Sequence, residues 1–439
     1  MDLQTIRRLY NACDPLEPLP PDDVRNVDLD SEIYGRPRGE AWVERLARDF
    51  ELSDKPVTKL FTGLPGAGKS TELRRLLRRL ESPSQAHLLT VMIDAEQRLD
   101  LASTIDVPEV VAAVLDSVER RVLEVEGQDP DNTAGNRLMD RMWDWIRSLD
   151  PTLEKMELGI RGSKLVVSLK TNPVFRQQVR RLVTQQLTDF RSRAKDALAE
   201  LHGRAQTQGW AGILVCLDSL EKLRGMSTNW EEVITSAERL FHSGAEDLRA
   251  LGVHAIYTVP VTLVSRQSGI ELMPAVKVRD RDGGVSSDGV LAMRDIVLQR
   301  VPSDEDREAL LGPARAQDDL IEQMILQSGG YLRDLIKQLR FAIAEPRHPV
   351  SAARLTRWFT EQTDAFRELV TRADFKWLAR LSQEKWNTLA DTSQREIADR
   401  MLANSVVLRY DNDRDWYDLH PAAKAIPGVQ DALTQGVED

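Results

Sequence analysis

The stretch GLPGAGKST, which runs from Gly63 to Thr71, is the segment that decides the fold. It matches the pattern G-x-x-x-x-G-K-[ST] in full, with Gly63, Gly68, Lys69 and Ser70 at the fixed positions. In such a loop, backbone N–H groups turn inward around a phosphate, the lysine reaches the terminal phosphates and the hydroxyl ligates magnesium. The segment therefore predicts a site for ATP and Mg2+. The predicted binding residues are Gly63, Pro65, Gly66, Ala67, Gly68, Lys69, Ser70 and Thr71.

The residues on either side of this loop have the pattern that it requires. Lys59 to Thr62 predicts a short strand that leads into the loop. After the loop, apolar residues recur at the spacing i, i+3, i+4 and i+7, which predicts a helix packed on a sheet. These residues are Leu73, Leu76, Leu77 and Leu80.

Further apolar segments predict the remaining strands of a parallel sheet that is buried on both faces. They are Leu88 to Asp94, Ile213 to Asp218 and a strand that ends at Pro260. The second and third strands are separated by far more residues than one crossover helix needs, which indicates an insertion at about 100–208. We predict that this insertion is mostly helical, with a hairpin at 156–170 and a long helix from Pro173 to about Ala205.

The fold class is therefore α/β, with a parallel P-loop sheet and helices on both faces. We divide the chain into an N-terminal arm (1–33), an ATPase core (34–280), a helical lid (281–350) and a winged-helix-like domain (351–439). In the last domain, VVLRY and DWYDLH flank a turn at Asp411 to Arg414, which predicts a hairpin after helices.

The net charge and the apolar segments of the chain indicate which kinds of partner it can bind. The chain has 439 residues, 41% of them hydrophobic, and a formal net charge of -11, which repels a phosphate backbone at long range. Charge therefore disfavours DNA and favours a protein partner or self-association. No stretch approaches the ~18 apolar residues that span a bilayer, and no apolar signal core follows the N-terminus, so we expect a cytoplasmic protein without a membrane partner.

Two acidic residues follow the third strand. Asp218 ends that strand, where an aspartate would hold Mg2+ through water, but with Glu221 it also forms the pattern of a helix-capping box. Glu221 has two interpretations as well, either as the base that polarises the attacking water or as a helix cap. If Glu221 is only a cap, Asp94 and Glu96 beyond the second strand are alternative acids.

Two further residues are candidate sensors of the terminal phosphate. Thr258 ends the fourth strand, although threonine is also a common strand former. Arg333 lies in the first turn of a helix after Gly329 and Gly330, and its alternative is a solvated arginine. We assign Lys69, Asp218, Glu221, Thr258 and Arg333 as the predicted catalytic set, with Ser70 and Asp218 at the metal. Arg294 and Arg300 could serve as arginine fingers for a neighbouring subunit, but single arginines on helices are usually surface residues, so we assign neither.

Together these motifs resemble the STAND and origin-recognition-like branch of the AAA+ ATPases. The resemblance rests on YGRPRGE, GLPGAGKST, ILVCLDSLEK, the Thr258 strand, GGYLRD and the C-terminal helix–hairpin segment. In that branch a Gly-Arg box lies against the adenine. It implies a nucleotide contact by Tyr34, Gly35 and Arg36, or by Arg38 to Glu40, since two alignments are open.

The resemblance also implies a function. Bacterial STAND-type proteins act in antiviral defence or signalling systems, where ATP changes their shape or assembly and licenses an effector. We therefore expect a slow ATPase that acts as a conformational switch. The alternatives are a DNA-acting AAA+ ATPase of initiator or transposition-regulator type and a nucleotide or metabolic kinase, for which no second-substrate motif is visible.

Overall fold

The centre of the molecule is a five-stranded parallel sheet that buries the residues before the P-loop. The computed structural model describes residues 1–131, 137–150, 152–153, 164–223, 229–386, 394–411 and 414–435. In strand order β2-β3-β4-β1-β5, the sheet places the P-loop strand between two neighbours. The strands are β1 (Thr58–Gly63), β2 (Leu88–Asp94), β3 (Gly212–Asp218), β4 (His254–Thr258) and β5 (Ile270–Met273).

The first four strands confirm the sequence-based predictions to within a few residues. Every pair within this sheet is parallel, as the continuous apolar runs predicted. All seven residues of β3 are buried, which is the pattern of a strand covered on both faces. The sequence analysis did not identify β5, which has only four residues and pairs with β1 at the edge of the sheet.

Helices pack on both faces and continue into the C-terminal half. Before the insertion they are α1 (Leu3–Ala12), α2 (Trp42–Glu51), α3 (Lys69–Glu81), α4 (Ala95–Arg98) and α5 (Val107–Val125). The insertion adds α6 (Leu138–Leu149), α7 (Lys164–Thr171), α8 (Pro173–Gln185) and α9 (Leu187–Thr207), followed by α10 (Trp230–Glu238) and α11 (Ala245–Arg249). The lid has α12 (Ser287–Arg300), α13 (Asp304–Leu311), α14 (Ala314–Ser328) and α15 (Leu332–Ala344). The C-terminal segment has α16 (Ala352–Leu369), α17 (Phe375–Glu384), α18 (Arg395–Ala403), α19 (Pro421–Lys424) and α20 (Pro427–Gln435).

The predicted hairpin in the insertion is wrong in its described half. KLVVSLK forms helix α7, and the preceding MELGIRG lies outside the described residues. A strand would place Leu165, Val167 and Leu169 on one face, whereas the structure buries Leu165 and Leu169 and exposes Val167. Burial at i and i+4 is the helical pattern. The long helix predicted from Pro173 is also broken at Gln186, where α8 ends and α9 begins.

The insertion is part of the main core rather than an appendage. Side chains of α8 and α9, among them Phe175, Val179 and Leu201, belong to the same buried cluster as Val215 of β3. On the opposite face of the sheet, α2 and α3 pack together with the C-terminal segment. A third cluster joins α1 to the lid helices, so the N-terminal helix packs with the lid.

The C-terminal segment has the predicted helix-and-hairpin arrangement. Strands β6 (Val407–Asp411) and β7 (Asp415–Leu419) pair antiparallel after α16, α17 and α18. The hairpin attaches to the ATPase sheet, because Ala275 N, just beyond β5, donates to Arg409 O at 2.8 Å.

In the described part of the chain, no helix combines the length and hydropathy needed to cross a membrane.

The shared core predicts that the insertion stabilises the ATPase sheet. Leu201 is fully buried on α9, and Leu201→Ala should lower the free energy of unfolding by about 2–5 kcal/mol because it leaves a cavity. The control is Leu52→Ala, since Leu52 is 80% exposed and its truncation should change stability by less than ~0.5 kcal/mol. Urea unfolding followed by circular dichroism measures both. Equal midpoints for the two variants would contradict a shared core.

Candidate functional site

The loop between β1 and α3 folds as the glycine pattern predicts. Gly66 and Gly68 both have φ of 94°, a left-handed conformation that L side chains rarely adopt. Gly66 also has a close neighbour, because a Cβ on it would lie 2.3 Å from Arg333 Nε. The loop is therefore compact enough to lie directly beneath the lid helix α15, and a side chain at Gly66 would separate the two.

Lys69 begins α3, and its ammonium is almost completely enclosed. The residue is 4% exposed, and its Nζ donates to Gly63 O at 3.0 Å and Leu64 O at 3.2 Å. The same ammonium lies 3.4 Å from Glu221 Oε1. A buried cation needs oxygen neighbours of this kind, and terminal phosphate oxygens would meet the same requirement. The structure thus brings Lys69 and Glu221, two of the predicted catalytic residues, into direct contact.

Asp218 and Ser70 lie together at the other side of this cluster. The Ser70 hydroxyl donates to the Asp218 carboxylate. Burial raises the pKa of Asp218, and the nearby Glu221 carboxylate raises it further. Asp218 Oδ1 is buried, and within the described residues it has no hydrogen-bond partner. Ser70 and Asp218 fit a hydrated Mg2+ ion, because hydroxyl and carboxylate oxygens are ligands that Mg2+ accepts. The unsatisfied Oδ1 of Asp218 can accept a hydrogen bond from a water molecule that the ion coordinates.

The turn after β3 does not have the predicted capping box. A short 3-10 helix, Leu220–Lys222, follows β3, but its N-cap residue is Ser219 and no side chain caps it. Ser219 has φ of 69°, a left-handed conformation that is uncommon for a residue with a side chain. The capping interpretation of Asp218 and Glu221 is therefore wrong, because the chain turns one residue later than the pattern assumed.

Glu221 is held ionised between a cation and a hydroxyl. Burial by itself raises the pKa of Glu221, but the Lys69 ammonium and the Thr258 hydroxyl outweigh it, so the pKa lies below its usual value. Glu221 Oε2 is buried without a hydrogen-bond partner in the described structure. An ionised carboxylate with one unused oxygen can accept a hydrogen bond from a water molecule, which is what a general base requires. The alternative acid Glu96 is instead paired with Lys222, at 2.5 Å.

Thr258 supports this turn from β4. It is fully buried, its Oγ1 accepts from Leu220 N at 3.0 Å, and it lies 3.3 Å from Leu217 O. These bonds connect the ends of β3 and β4 and orient the turn that carries Glu221. The role of Thr258 as a phosphate sensor stays a prediction.

Arg333 comes from the lid, as predicted. It lies in the first turn of α15, lines the same cavity as the P-loop, and its Nε is buried without a hydrogen-bond partner among the described residues. The adjacent Tyr331 hydroxyl donates to Pro65 O in the loop itself. The lid therefore contacts the phosphate-binding loop at Pro65 and Gly66 through two polar side chains, Tyr331 and Arg333, which are separated by Leu332 in the chain.

The two open alignments of the Gly-Arg box lead to different places. Tyr34 donates from its hydroxyl to Asp295 Oδ2 at 2.7 Å, and Arg36 is exposed. In the described structure, neither these residues nor Gly35 line the cavity. Arg38 does line it: this arginine is 1% exposed, and its Nη1 donates to Glu72 Oε1 at 2.8 Å. The geometry therefore favours the second alignment, with Arg38 beside the P-loop.

These side chains surround one cavity of about 1310 Å3. The ATPase core provides its floor, with the P-loop, the turn after β3 and the end of β2. The lid provides a wall with Leu332, Arg333 and Ile336 of α15 and Ile296 and Arg300 of α12. The N-terminal arm provides the third wall, with residues 14–19, residues 25–27 and Leu29.

The contribution of the arm was not predicted from the sequence. Leu19 N donates to Thr71 Oγ1 at 3.2 Å, so this predicted loop residue binds the arm. Further along, Arg75 of α3 pairs with Asp28. The composition DPLEPLPPDD indicates an ordered arm or linker, but nothing in it specifies which surface it crosses.

Of the two arginines considered as fingers, Arg300 lines the cavity of its own chain, whereas Arg294 pairs with Asp318 on the lid.

Comparisons with known proteins find solved structures of similar fold but no matching family. No protein-family model matches the chain, and no curated protein matches it either. A chain from the structure of Drosophila ORC bound to DNA is 10% identical, with a TM-score of 0.38, over 97% of this chain and 91% of that one. The Aeropyrum pernix ORC2 protein, in ADPNP–ADP complexes, is 13% identical, with a TM-score of 0.37, over 98% of both chains.

Proposed function

We propose that this chain is an AAA+-type ATPase that binds ATP, hydrolyses it slowly and acts as a nucleotide-dependent switch for a partner effector. The observation that carries the proposal is the convergence of Lys69, Asp218, Glu221 and Arg333 on one cavity. The strand order β2-β3-β4-β1-β5 around a complete P-loop supports the AAA+ class. The proposed partner is a protein or a second copy of the chain, and a role in bacterial defence or signalling follows from the resemblance alone.

The proposed chemistry begins with the exchange of partners at Lys69. Terminal phosphate oxygens compete with Glu221 for the ammonium, since both are anionic acceptors. Glu221 is then available to orient a water molecule towards the terminal phosphate. Mg2+ held at Ser70 and Asp218 would neutralise charge on the phosphates. In the sequence, Ser219 and Leu220 separate Asp218 from Glu221, so no acid directly follows the metal ligand, and this spacing supports slow turnover.

The proposed switch is the connection between α15 and the C-terminal segment. Asp334, next to Arg333, lies 3.2 Å from His420 Nε2, and both residues are buried. Burial raises the pKa of Asp334, but the His420 ring outweighs it and keeps the pKa below its usual value. Before the helix, Gly329 O accepts from the Tyr410 hydroxyl of β6 at 2.6 Å. A displacement of Arg333 by the terminal phosphate would therefore move residues that contact the C-terminal segment.

The alternative, a DNA-acting ATPase, would need an accessible wing. In this structure Asp411, at the end of β6, packs against Gly39 of the core, within 3.0 Å of a Cβ placed there. Arg409, the basic residue of this strand, is bound to Asp415 and Leu272 O. Carboxylates at the hairpin and the net charge of -11 both oppose a phosphate backbone. These observations favour the protein switch.

The experiment that separates the two functions is light scattering of the full chain. The switch predicts a change of mass or radius with ATP and Mg2+ that ADP does not produce. An initiator-type protein would instead form a complex with duplex DNA at submicromolar protein and physiological salt. A chain that does neither would contradict both proposals.

Lys69→Ala tests the binding site itself. Loss of a charge-assisted contact of ~1.5–3 kcal/mol should weaken ATP binding by about ten- to a hundred-fold. The control is Lys55→Ala, which removes an exposed lysine outside the site. Isothermal titration calorimetry on folded proteins measures both affinities. Wild-type ATP affinity in Lys69→Ala would exclude a P-loop function.

Arg333→Ala tests the lid. The variant should still bind ATP but lose the discrimination between ATP and ADP, because Arg333 is assigned to the terminal phosphate that ADP lacks. Limited proteolysis with each nucleotide measures this difference, with the exposed Arg347→Ala as control. If ATP protects Arg333→Ala as strongly as the wild type, the sensor assignment is wrong.

Glu221→Gln tests the base. The amide retains the shape of the side chain but cannot accept a proton, so single-turnover hydrolysis should fall ~10²-fold or more while ATP still binds. Glu96→Gln, which alters the exposed acid paired with Lys222, should keep wild-type turnover. The opposite ranking of the two variants would assign the base to Glu96, and near-wild-type rates in both would leave Asp94 to be tested.

A further inference from the structure

The cavity continues from the P-loop in two directions that differ in chemistry. One extension runs along β2 and the facing side of α5, where apolar residues of β2 such as Val91 face the charged Arg121 and Glu124 of α5. The other runs between the arm and the lid, where the walls include Val27, Leu29, Ile296 and Ile336. A planar nucleobase buries best between apolar side chains. If the phosphates lie at Lys69, the base therefore occupies the space between the arm and the lid.

Arg300 lies at the junction of these two apolar walls. It is one helical turn after Ile296 on α12 and is 7% exposed. Its Nη1 donates to two backbone carbonyls, Ile296 O at 3.1 Å and Arg25 O of the arm at 3.4 Å. Its Nε is buried and has no hydrogen-bond partner in the described structure. Nη2 makes no hydrogen bond within the described residues, and Arg300 lines the cavity.

Asp23 and Glu17 of the arm favour the charged form of Arg300, but both carboxylates pair with Arg25 rather than with Arg300. Among the described residues, no carboxylate lies within ion-pair distance of it, whereas the adjacent Arg25 is paired with both Glu17 and Asp23. Burial lowers the pKa of Arg300, which expresses the cost of enclosing this cation. A buried guanidinium with unused N–H donors is normally satisfied by an acceptor, and the cavity is where a ligand can provide one.

We propose that Arg300 reads the base of the bound nucleotide, by donating a hydrogen bond from its guanidinium to a ring nitrogen of a purine. This inference rests on the proposed function and extends it from phosphate binding to base selection. It also gives Arg300 a role within its own subunit, since a buried side chain bound to the arm cannot reach a neighbouring active site. Arg300 further connects the base to both walls through Arg25 O and Ile296 O, so base recognition and closure of the arm over the cavity are coupled.

The experiment compares ligands that share the phosphates but differ in the base. The wild-type chain and Arg300→Met are titrated with ATP and with inorganic tripolyphosphate, both with Mg2+, in a calorimeter. Methionine retains much of the apolar side-chain volume and removes the donors. Arg300→Met should bind ATP about tenfold or more weakly and bind tripolyphosphate as the wild type does. Arg294→Met, on the exposed side of the same helix, should leave both affinities unchanged.

A second measurement needs no variant and therefore does not depend on the folding of Arg300→Met. The wild-type chain is titrated with 1-deaza-, 3-deaza- and 7-deaza-ATP, each of which lacks one ring nitrogen. One of the three should bind about tenfold more weakly than ATP. Equal affinity for all three analogues, or wild-type ATP affinity in Arg300→Met, would overturn the inference about Arg300 alone. Failure of wild-type protein to bind either ATP or tripolyphosphate would remove the proposed function and the inference with it.

Discussion

The enclosed ammonium of Lys69 is the constraint on which the rest of the site depends. A cation with 4% exposure is stable only if oxygen atoms surround it, and here two backbone carbonyls and Glu221 do so. This requirement draws the turn after β3 towards the P-loop and brings Asp218 beside Ser70. Because Glu221 is compensated by Lys69, it remains ionised despite its burial. The charges of Lys69 and Glu221 therefore compensate each other, and an anionic ligand can take the place of Glu221 beside the ammonium.

The cavity around this set exists because the chain returns to it from distant segments. Helix α1 packs on the lid, where Arg340 lies 4.0 Å above the ring of Tyr10 and Arg8 pairs with Asp306. The arm then crosses to the core, where Asp30 accepts from Val43 N at 2.8 Å. Arm, lid and core thus form three walls that are joined at their ends. A ligand held between them contacts all three, which is a suitable arrangement for converting nucleotide binding into a change of shape.

The C-terminal segment contacts the lid, so a change of shape at the nucleotide site can move it. His420 stacks on Phe366 with ring centroids 4.7 Å apart, and its ring also lies against Tyr331 of the lid. Tyr331 in turn donates to Pro65 in the P-loop. A chain of packed rings and hydrogen bonds therefore connects the phosphate site to α16 and the hairpin. Each group in this chain of contacts is buried and has few alternative partners. The contacts are therefore kept or broken together.

The sequence alone determined the phosphate-binding loop, four strands of the sheet and the helix after the loop, because these depend on local patterns. The glycine and lysine spacing acts within nine residues, and apolar periodicity reports which face of a strand or helix is buried. It could not determine α7, since LVVSL suits a strand locally and only the surrounding helices select the helical burial of Leu165 and Leu169. Nor could it identify β5, whose four residues become a strand by pairing with β1.

The tertiary structure decided which charged residues share the cavity. The YGRPRGE motif left two alignments open for Arg38, and Arg300 has no local pattern that distinguishes it from a surface arginine. Their roles depend on burial and on the partners that the fold provides, such as Glu72 for Arg38. The same applies to the turn at Ser219, where a left-handed residue replaced the predicted capping box. Local spacing determines the atoms that a loop can offer to a phosphate, but contacts between distant segments determine which charges are left for a ligand to satisfy.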